Sequence, residues 1–286
     1  MKVLVTGANG QLGMDVVALF KEGHEVIGVG RNELDITDLD QCIDVIGKHQ
    51  PDVIIHCAAH TAVDLAESEE DAAYQVNAYG TRNLAVAAER IGSKICYIST
   101  DYVFDGTSTN PYKEYDNTNP TSVYGKSKRA GEGLVQALSS KFFIVRTSWV
   151  YGLHGNNFVK TMLKLAVGRE QLKVVHDQIG SPTFTEDLAE FLLRLVATEK
   201  YGIYHASNSG ICSWYDFAKA IFEENNVSIT VTPCTTEEFP RPAPRPKYSV
   251  MDHMSIRTNG FADLRPWQDG LRDFLKKYNG VNGVSL

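Results

Sequence analysis

The sequence predicts an α/β fold, with a doubly wound parallel sheet and a smaller, interleaved α/β domain towards the C-terminus. Five short apolar runs alternate with amphipathic stretches over the first two thirds of the chain. The runs are continuously apolar, as expected of parallel strands that are covered on both faces. After Trp149 this rhythm breaks and shorter elements follow, which indicates a second unit.

The elements of the main sheet can be placed from these runs. Strands are predicted at 2–6, 25–29, 52–56, 94–99 and 142–147. Helices are predicted between them, near 11–22, 38–48, 69–91 and 122–139. Such alternation is typical of parallel sheets with right-handed crossover connections. We therefore assign residues 1–150 to the sheet-forming domain.

The remaining segment, 151–286, is predicted to form most of the smaller domain, with segments near 180–210 returning to the sheet. Thr185 is the expected N-cap of a helix in "SPTFTEDLAEFLLRLV", because acidic residues follow it in the first turn. The Pro-rich stretch 237–249 is incompatible with a central strand or a helix. The other predicted elements are helices near 156–167, 213–225 and 268–278 and strands near 173–175 and 203–207.

Composition narrows the class of protein. Of 286 residues, 43% are hydrophobic and 22% charged, and the net charge is −7. This composition is that of a globular protein and argues against non-specific nucleic-acid binding. No apolar run reaches the roughly 18 residues of a membrane span, and the first strand is too short for a secretion signal. The five cysteines form no CxxC pair, so free thiols in the cytoplasm are expected.

A glycine-rich loop follows the first strand. "TGANGQLG" places Gly7, Gly10 and Gly13 between a strand and a helix, where small residues let the backbone approach a pyrophosphate at a helix N-terminus. The loop predicts a Rossmann-like, dinucleotide-binding first domain; the alternative is a tight turn without a ligand. The candidate cofactor-binding residues here are Gly7, Asn9, Gly10, Gln11, Leu12 and Gly13.

The end of the second strand bears on the choice of cofactor. An acidic residue usually binds the ribose hydroxyl of NAD there, but Gly30 and Arg31 occupy the place. A guanidinium favours a 2′-phosphate, so NADPH is expected and NADH remains possible. Alternatively, Arg31 is a solvated surface residue. Asp35, with Ile36 beside it, is a candidate for the adenine side, or else Asp35 caps a turn.

A third segment of small residues, "HCAAHTAVD", follows the third strand. Small side chains at Ala58 and Ala59 would let a cofactor pass close to the backbone. We therefore expect Ala58, Ala59, His60 and Thr61 to line the cofactor path. An isolated histidine at such a place is more often packed or hydrogen-bonded than catalytic.

Tyr124 and Lys128 are spaced four residues apart in "VYGKSK", in a stretch with a helical pattern. This spacing places both side chains on one face of a helix. An ammonium near a phenol lowers its pKa from about 10 and allows proton transfer to a carbonyl. The alternative is a surface helix pair. Upstream, Ser99, Thr100 and Asp101 end a predicted parallel strand, where open α/β sheets bind ligands.

These motifs together resemble the extended short-chain dehydrogenase/reductase superfamily. A longer set is similar to the dTDP-4-dehydrorhamnose reductase family and spans most of the chain: "TGANGQLG", "AAHTAVDLAE", "STDYVFDG", "NPTSVYGKSKRAGE", "RTSWVYG" and "QIGSPTFTEDLA". The resemblance implies reduction of the 4-keto group of dTDP-6-deoxy-L-lyxo-4-hexulose by NADPH or NADH. The product would be dTDP-L-rhamnose, in the last step of its biosynthesis.

The resemblance also implies roles for individual residues. Tyr124 would donate the proton, Lys128 would lower its pKa and hold the nicotinamide ribose, and Thr100 would bond the reacting oxygen. Arg241 and Arg245 would suit a diphosphate, or else form a salt bridge within their loop. Trp149 would line the sugar pocket, or else be a core indole. The implied substrate-binding residues are Thr100, Asp101, Tyr102, Trp149, Asn157, Arg245 and Tyr248.

Some relatives form dimers through magnesium bridged by carboxylates. Asp15 stands where a glutamate is expected and Glu186 fits the pattern, so magnesium is uncertain, no metal site is predicted, and the chain would be a monomer or homodimer. A nucleotide-sugar dehydratase is disfavoured, because Asp101 is followed by Tyr102 instead of a second carboxylate. Another nucleotide-sugar reductase, or a non-catalytic regulatory subunit of the methionine adenosyltransferase type, remains an alternative.

Overall fold

The structure is a computed structural model that describes residues 1–282. Within these residues, one six-stranded sheet and three two-stranded sheets are formed. The strands are β1 (Lys2–Thr6), β2 (Glu25–Val29), β3 (Val53–His56), β4 (Lys94–Thr100), β5 (Phe142–Thr147), β6 (Val150–Tyr151), β7 (Gln171–Val175), β8 (Ile179–Gly180), β9 (Thr183–Phe184), β10 (Gly202–His205), β11 (Cys212–Ser213) and β12 (Thr230–Cys234).

Helices cover both faces of the main sheet and build the smaller unit. A π-helical segment, Gln75–Gly80, joins two of them, and a short 3₁₀ turn, Asp101–Val103, follows β4. The α-helices are α1 (Gln11–Phe20), α2 (Leu39–His49), α3 (Val63–Ala66), α4 (Glu70–Tyr74), α5 (Thr81–Ile91), α6 (Val123–Leu138), α7 (Phe158–Ala166), α8 (Thr185–Val196), α9 (Trp214–Glu224), α10 (Met254–Thr258) and α11 (Trp267–Asn282).

The main sheet has the strand order β10-β5-β4-β3-β1-β2. Each neighbouring pair in it is parallel. β2 lies on one side of β1, whereas β3 and the strands that follow it in the sheet lie on the other side. This reversal creates a crevice outside the carboxyl ends of β1 and β3, where doubly wound sheets bind ligands. The predicted doubly wound α/β fold is confirmed.

Two apolar layers cover the sheet. Val3 and Val5 face one cluster, which includes Phe191 of α8. Leu4, between them in sequence, faces the other cluster with Leu84 of α5. Because successive residues of a strand point to opposite faces, a strand buried on both sides must be apolar at every position. The continuous apolar runs of the sequence arise from this geometry.

The predicted main-sheet strands agree with the structure within one residue at either end. The predicted helix at 69–91 is helical from Glu70 to Ile91, although its middle is π-helical. The N-cap prediction for Thr185 is wrong: the cap position is Phe184, and Thr185 is the first helical residue. The sequence analysis also missed β12, which pairs with β7; a proline within it suits a two-stranded sheet whose edges are unpaired.

The smaller unit has its own apolar core, formed by α7, α9 and α11 together with β7. Two segments that follow Trp149 return to the main sheet. β10 pairs with β5 at the sheet edge, and Leu188 and Phe191 of α8 pack in the same cluster as Val16 of α1. The Pro-rich stretch 237–249 has neither helix nor regular strand, as predicted.

Candidate active site

A cavity of about 960 Å³ lies at the carboxyl ends of β1, β3 and β4. It runs from the glycine loop to Trp149 and Asn156, so that elements from both parts of the chain form its walls. Most of the residues that the sequence analysis singled out line it: Gly7, Asn9, Gly10, Gln11, Leu12, Arg31, Asp35, Ile36, Ala58, Ala59, His60, Thr61, Thr100, Asp101, Tyr102, Tyr124, Lys128 and Trp149.

The glycine loop packs closely against its neighbours. Gly7 has φ +65°, and a Cβ there would lie 2.6 Å from the backbone nitrogen of Ala58. A Cβ at Gly13 would lie 2.1 Å from the carbonyl oxygen of Gly7, so Gly13 allows the contact between α1 and the loop without lining the cavity. Gly10 occupies the N-cap of α1 with no side-chain cap. No side chain caps the amides of the first turn, and Gln11 and Leu12 of that turn line the cavity, as binding of an anion at a helix N-terminus would require.

The loop after β2 holds one exposed cation and two engaged carboxylates. Arg31 is exposed at the cavity wall. Glu33, which the sequence analysis did not single out, accepts a hydrogen bond from the Gly30 amide at 2.9 Å. Asp35 accepts bonds from the amide and hydroxyl of Thr37, and these bonds lower its pKa. Asp35 therefore caps a turn while lying at the cavity wall.

The π-helical segment fixes the backbone at His60. The Asn77 carboxamide accepts from the His60 amide at 2.8 Å and donates to its carbonyl at 3.1 Å. It also donates to the Ser127 hydroxyl of α6 at 3.0 Å. π-Helical turns occur frequently at functional sites, and this one joins the cofactor path to the helix that carries Tyr124. No sequence signal other than the helical pattern marked Asn77.

Tyr124 lies in the first turn of α6. Ser122 caps this helix by accepting from the Gly125 amide, and the Glu67 carboxylate accepts from the Val123 amide at 2.8 Å. Burial raises the pKa of Tyr124 to about 12, against a lowering effect of the Thr100 hydroxyl. The structure therefore does not give the lowered pKa that the sequence analysis expected, because desolvation of the phenolate dominates.

Lys128 is buried, with 2% of its surface exposed. Its ammonium donates to the Ile98 carbonyl at 2.7 Å and lies 4.1 Å from the centre of the Tyr97 ring. Burial lowers its pKa to about 7, although Glu132 one turn later raises it. Tyr124 and Lys128 are thus no solvated surface pair, since both line the same cavity.

The end of β4 presents three polar side chains to the cavity. The Thr100 hydroxyl donates to Asp101 at 2.9 Å and accepts from the Tyr102 amide at 3.2 Å. Asp101 is 2% exposed, and burial raises its pKa to about 6. The Tyr102 ring meets the Tyr124 ring edge to face, with centroids 5.6 Å apart. Residues of β4 and α6 thus converge on one point of the cavity.

Trp149 forms the opposite wall. Its indole stacks on Trp214 with ring centroids 3.6 Å apart, and its backbone has φ +48°, which is uncommon for a bulky residue. A Cβ at Gly180 would lie 2.6 Å from the indole, so glycine there leaves room for the ring. Trp149 packs against the apolar core of the smaller unit and also lines the cavity. It therefore combines the position of a core indole with that of a cavity wall.

Three predicted substrate-binding residues are not among the cavity-lining residues. Asn157 caps α7 by accepting a hydrogen bond from the Lys160 amide, and its own amide group donates to the Gln11 side chain at 2.8 Å. Arg245 forms an ion pair with Asp64, with 2.8 Å between nitrogen and oxygen. Tyr248 packs beside Met251 in a small apolar cluster. The chain therefore uses the polar groups of Asn157 and Arg245 for contacts within the protein.

The two carboxylates considered for magnesium have partners within the chain. Asp15 is buried, which raises its pKa, and it lies 3.5 Å from His154. Glu186 is paired with the Lys277 ammonium, which takes the place that a cation would occupy. Across residues 1–282, no three His, Cys, Asp or Glu side chains are grouped as a metal site requires.

Behind Lys128 lies a buried ion pair that sequence reasoning missed. Arg146 of β5 donates to both oxygens of Glu132, at 2.8 Å each, and Ser99 donates to the same carboxylate at 2.7 Å. Glu132 is fully buried and Arg146 is 2% exposed. Glu132 ends the quoted motif "NPTSVYGKSKRAGE" and Arg146 begins "RTSWVYG", but nothing in the spacing indicated that they pair.

A glycine loop, a tyrosine–lysine pair and a strand-end threonine in one cavity agree with the resemblance noted from sequence. The RmlD substrate binding domain family model matches residues 1–279. The chain belongs to the RmlD family. No helix of residues 1–282 has the length and apolar character needed to cross a membrane.

RmlD-family relatives cover almost the whole chain. The spore coat polysaccharide biosynthesis protein SpsK of Bacillus subtilis is 48% identical, over 96% of this chain and 97% of its own. A dTDP-4-dehydrorhamnose reductase of Aggregatibacter actinomycetemcomitans is 45% identical, over 95% of this chain and 97% of its own. The dTDP-4-dehydrorhamnose reductase of Bacillus anthracis, solved with NADP, is 49% identical, with a TM-score of 0.95 over 97% of this chain and 100% of its own.

Proposed function

We propose that this chain is an NADPH-dependent reductase that converts dTDP-6-deoxy-L-lyxo-4-hexulose into dTDP-L-rhamnose, with NADH as a possible second cofactor. The observation that carries the proposal is the convergence of Tyr124, Lys128 and Thr100 in the cavity that the glycine loop opens. The names of the RmlD-family relatives, and the NADP bound in one of their structures, support it.

Tyr124 is the proposed proton donor. With a pKa raised to about 12 by burial, its phenol is protonated near neutral pH, as a general acid must be. NADPH, when bound, supplies the hydride that reduces the keto carbon. Tyr124 then protonates the oxygen on which negative charge develops, and the Thr100 hydroxyl beside it hydrogen-bonds the same oxygen.

Lys128 is proposed to hold the nicotinamide ribose and to support Tyr124. Its pKa of about 7 means that the ammonium and the neutral amine are both populated near neutrality. Negative charge arriving in the cavity would favour the ammonium, because an opposite charge nearby stabilises the charged form. The lowering of the phenol pKa that the sequence suggested would then belong to the reacting complex.

The cofactor is proposed to lie along the glycine loop and the backbone of residues 58–61. A Cβ at Gly7 would overlap the Ala58 backbone, so these two segments meet closely enough to form one cradle. The exposed guanidinium of Arg31 is the proposed partner of the 2′-phosphate. Asp35 and Ile36 form the adenine side, and Gly13 contributes by packing α1 against the loop.

The nucleotide-sugar side is proposed to comprise Asp101, Tyr102 and Trp149 at the cavity, with Arg245 and Tyr248 nearby; Asn157 acts as a support. We also propose that residues 1–150 form the dinucleotide-binding domain and 151–286 mainly the substrate domain. The pairing of β10 with β5 supports a return of segments near 180–210 to the first domain.

The test is an activity assay. Purified protein is mixed with NADPH and dTDP-6-deoxy-L-lyxo-4-hexulose, NADPH consumption is followed, and the product is identified by NMR. We expect consumption with formation of dTDP-L-rhamnose. A product with the opposite configuration at C4 would indicate another nucleotide-sugar reductase. Absence of NADPH consumption would favour the regulatory-subunit alternative.

A further inference from the structure

One carboxylate of the first half of the chain, that of Asp64, binds the middle of the Pro-rich loop of residues 237–249. Asp64 of α3 accepts a hydrogen bond from the Arg245 guanidinium at 2.8 Å. Only 17% of the Arg245 side chain and 32% of the Asp64 side chain are exposed. Such a pair is better shielded from water than the surface pairs that contribute little.

The same carboxylate also fixes the loop backbone. The Asp64 oxygen that bonds Arg245 lies 3.3 Å from the amide nitrogen of Ala243, which donates to it. Arg245 in turn donates to the Ala243 carbonyl at 3.3 Å. Arg241 approaches the other oxygen of Asp64 at 3.9 Å. Two guanidinium groups thus face one carboxylate, and the cluster keeps an excess of positive charge.

Asp64 has a fixed position relative to the proton donor. Three residues after it, Glu67 accepts from the Val123 amide at the start of α6, directly before Tyr124. Ala66, between the two carboxylates, is fully buried and packs in one cluster with Val123. The segment 63–67 therefore bonds the catalytic helix with one acidic residue and the Pro-rich loop with the other.

From this anchor, Arg245 lies next to a residue of the cavity wall, Tyr102. Its guanidinium carbon lies 6.0 Å from the centre of the Tyr102 ring, and Tyr102 lines the cavity and packs edge to face on Tyr124. A guanidinium carries five N–H donors and binds phosphate oxygens in pairs. The hydrogen bond to one carboxylate therefore leaves other N–H donors of Arg245 for an anion.

We infer that Asp64 is a positioning residue that holds Arg245 beside the cavity-lining Tyr102 for the diphosphate of a nucleoside diphosphate sugar. The inference rests on the proposed function for the identity of the substrate. Asp64 is not expected to touch the substrate. Its carboxylate positions the Arg245 guanidinium and the loop backbone. The excess positive charge of the two arginines then attracts the diphosphate.

The experiment compares Asp64→Ala, Asp64→Asn and the parent protein. Asparagine keeps an oxygen acceptor for the Ala243 amide and for Arg245, whereas alanine removes it. Binding of thymidine diphosphate to the full chain is measured by calorimetry, beside KM for the keto-sugar nucleotide, kcat, and the Kd of NADPH. Glu224→Ala is the matched control, because Glu224 pairs with Arg272 at 3.1 Å outside the cavity lining.

For Asp64→Ala we expect the Kd of thymidine diphosphate and KM to rise about 10-fold, the scale of one charge-assisted hydrogen bond. We expect kcat and the Kd of NADPH to stay near the parent values, and Asp64→Asn to recover most of the loss. Glu224→Ala should match the parent. This split between KM and kcat, with rescue by asparagine, is not expected of general destabilisation.

Two results would overturn the inference. Unchanged diphosphate binding in Asp64→Ala would show that Asp64 does not position Arg245. Tighter binding in both variants would show that Asp64 competes with the anion. If Asp64→Ala does not fold, an Asp64→Asn variant that folds and loses as much affinity as Arg245→Ala would also contradict positioning by the acceptor oxygen. If the parent protein bound thymidine diphosphate, lost this binding in Asp64→Ala, and yet did not turn over the keto-sugar nucleotide, that result would overturn the proposed function and leave the role of Asp64 intact.

Discussion

At the scale of single residues, the proton affinities in the cavity follow from burial more than from neighbouring charges. Desolvation is the largest cause of the raised pKa of Tyr124 and of the lowered pKa of Lys128. Both shifts favour the neutral form of the side chain. The cavity therefore contains a phenol that keeps its proton and an amine that titrates near neutrality.

Replacing Tyr124 by phenylalanine tests the proton donor. The ring and its packing against Tyr102 would stay, but the transferable proton would be lost. We expect kcat to fall about 10²–10⁴-fold, the range of general acid catalysis, with the Kd of NADPH nearly unchanged. Steady-state kinetics and fluorescence titration measure these quantities. A phenylalanine variant with near-normal kcat would exclude Tyr124 from the mechanism.

Arg31→Ala tests whether Arg31 binds the 2′-phosphate of NADPH. The exposed guanidinium lies at the cavity wall, so its loss should weaken NADPH binding by about 1–3 kcal/mol, the scale of a charge-assisted hydrogen bond. NADH lacks the phosphate and should respond little. Kd values for the two cofactors, measured side by side, provide the check; equal losses for both would show that Arg31 does not distinguish them.

Lys128→Met tests the lowered pKa through stability. The pKa of Lys128 is about 7 in the folded protein and about 10.4 in an unfolded chain. Between these values the unfolded chain binds the extra proton, so the contribution of Lys128 to the unfolding free energy rises with pH. Urea unfolding at several pH values should show the parent gaining on the variant from about pH 7 upwards. A pH-independent difference would contradict the shift.

At the scale of elements, the π-helical segment joins residues 58–61, the proposed cofactor path, to helix α6, which carries Tyr124. Its residue Asn77 is 1% exposed and satisfies both backbone groups of His60 and the Ser127 hydroxyl. An α-helical path through 75–80 would place the carboxamide differently, since the π turn adds a residue to the helical turn. The π turn thus helps to set the position of the cavity wall formed by residues 58–61.

Asn77→Ala should therefore affect both folding and cofactor binding. Removing this partner from the His60 backbone and from the buried Ser127 hydroxyl is expected to lower the unfolding free energy by about 1–3 kcal/mol. The Kd of NADPH should rise, because the backbone at His60 loses its support. Urea unfolding and cofactor titration measure the two effects.

Asn279→Ala is the control for this prediction. Asn279 is 3% exposed and donates to Asn225 at 2.7 Å, outside the cavity lining. It should lose a comparable unfolding free energy and leave the Kd of NADPH unchanged. If both asparagine variants altered cofactor affinity equally, the effect would be one of global stability and no special role of the π turn would follow.

At the scale of the whole molecule, buried polar contacts connect elements that are distant in sequence. Arg146 of β5 pairs with Glu132 of α6 and lies 3.3 Å from the His205 ring nitrogen of β10. His205 in turn contacts the backbone carbonyls of Tyr112 and Asp252 at 3.1 Å. The sheet edge, helix α6 and the loops near the Pro-rich segment are thereby held in one arrangement.

Glu132→Gln should destabilise the whole fold. Removing one charge leaves the Arg146 guanidinium buried without a counter-charge, which typically costs about 3–5 kcal/mol. Glu25→Gln is the control, because the Glu25 side chain is 66% exposed in its pair with Lys2 and should change stability by about 0–1 kcal/mol. Chemical unfolding measures both. Similar small effects would indicate that the buried pair is not a major constraint.

Local patterns in the sequence were sufficient for several features. The apolar runs predicted the main-sheet strands, because burial on both faces of a parallel sheet requires apolar residues at every position. The glycine loop, the strand-end Thr100 and the four-residue spacing of Tyr124 and Lys128 depend on short-range geometry. Parallel strands bring their carboxyl ends to one edge, and these groups accordingly line one cavity.

Only the tertiary structure decided which distant residues meet and how they are solvated. The Asp64–Arg245 and Glu132–Arg146 pairs join residues separated by 181 and 14 positions, and no local pattern specifies such partners. The sequence also suggested a lowered pKa for Tyr124 from the charge of Lys128. Burial reverses that direction, because desolvation depends on the packing of several elements around the phenol and cannot be read from a spacing.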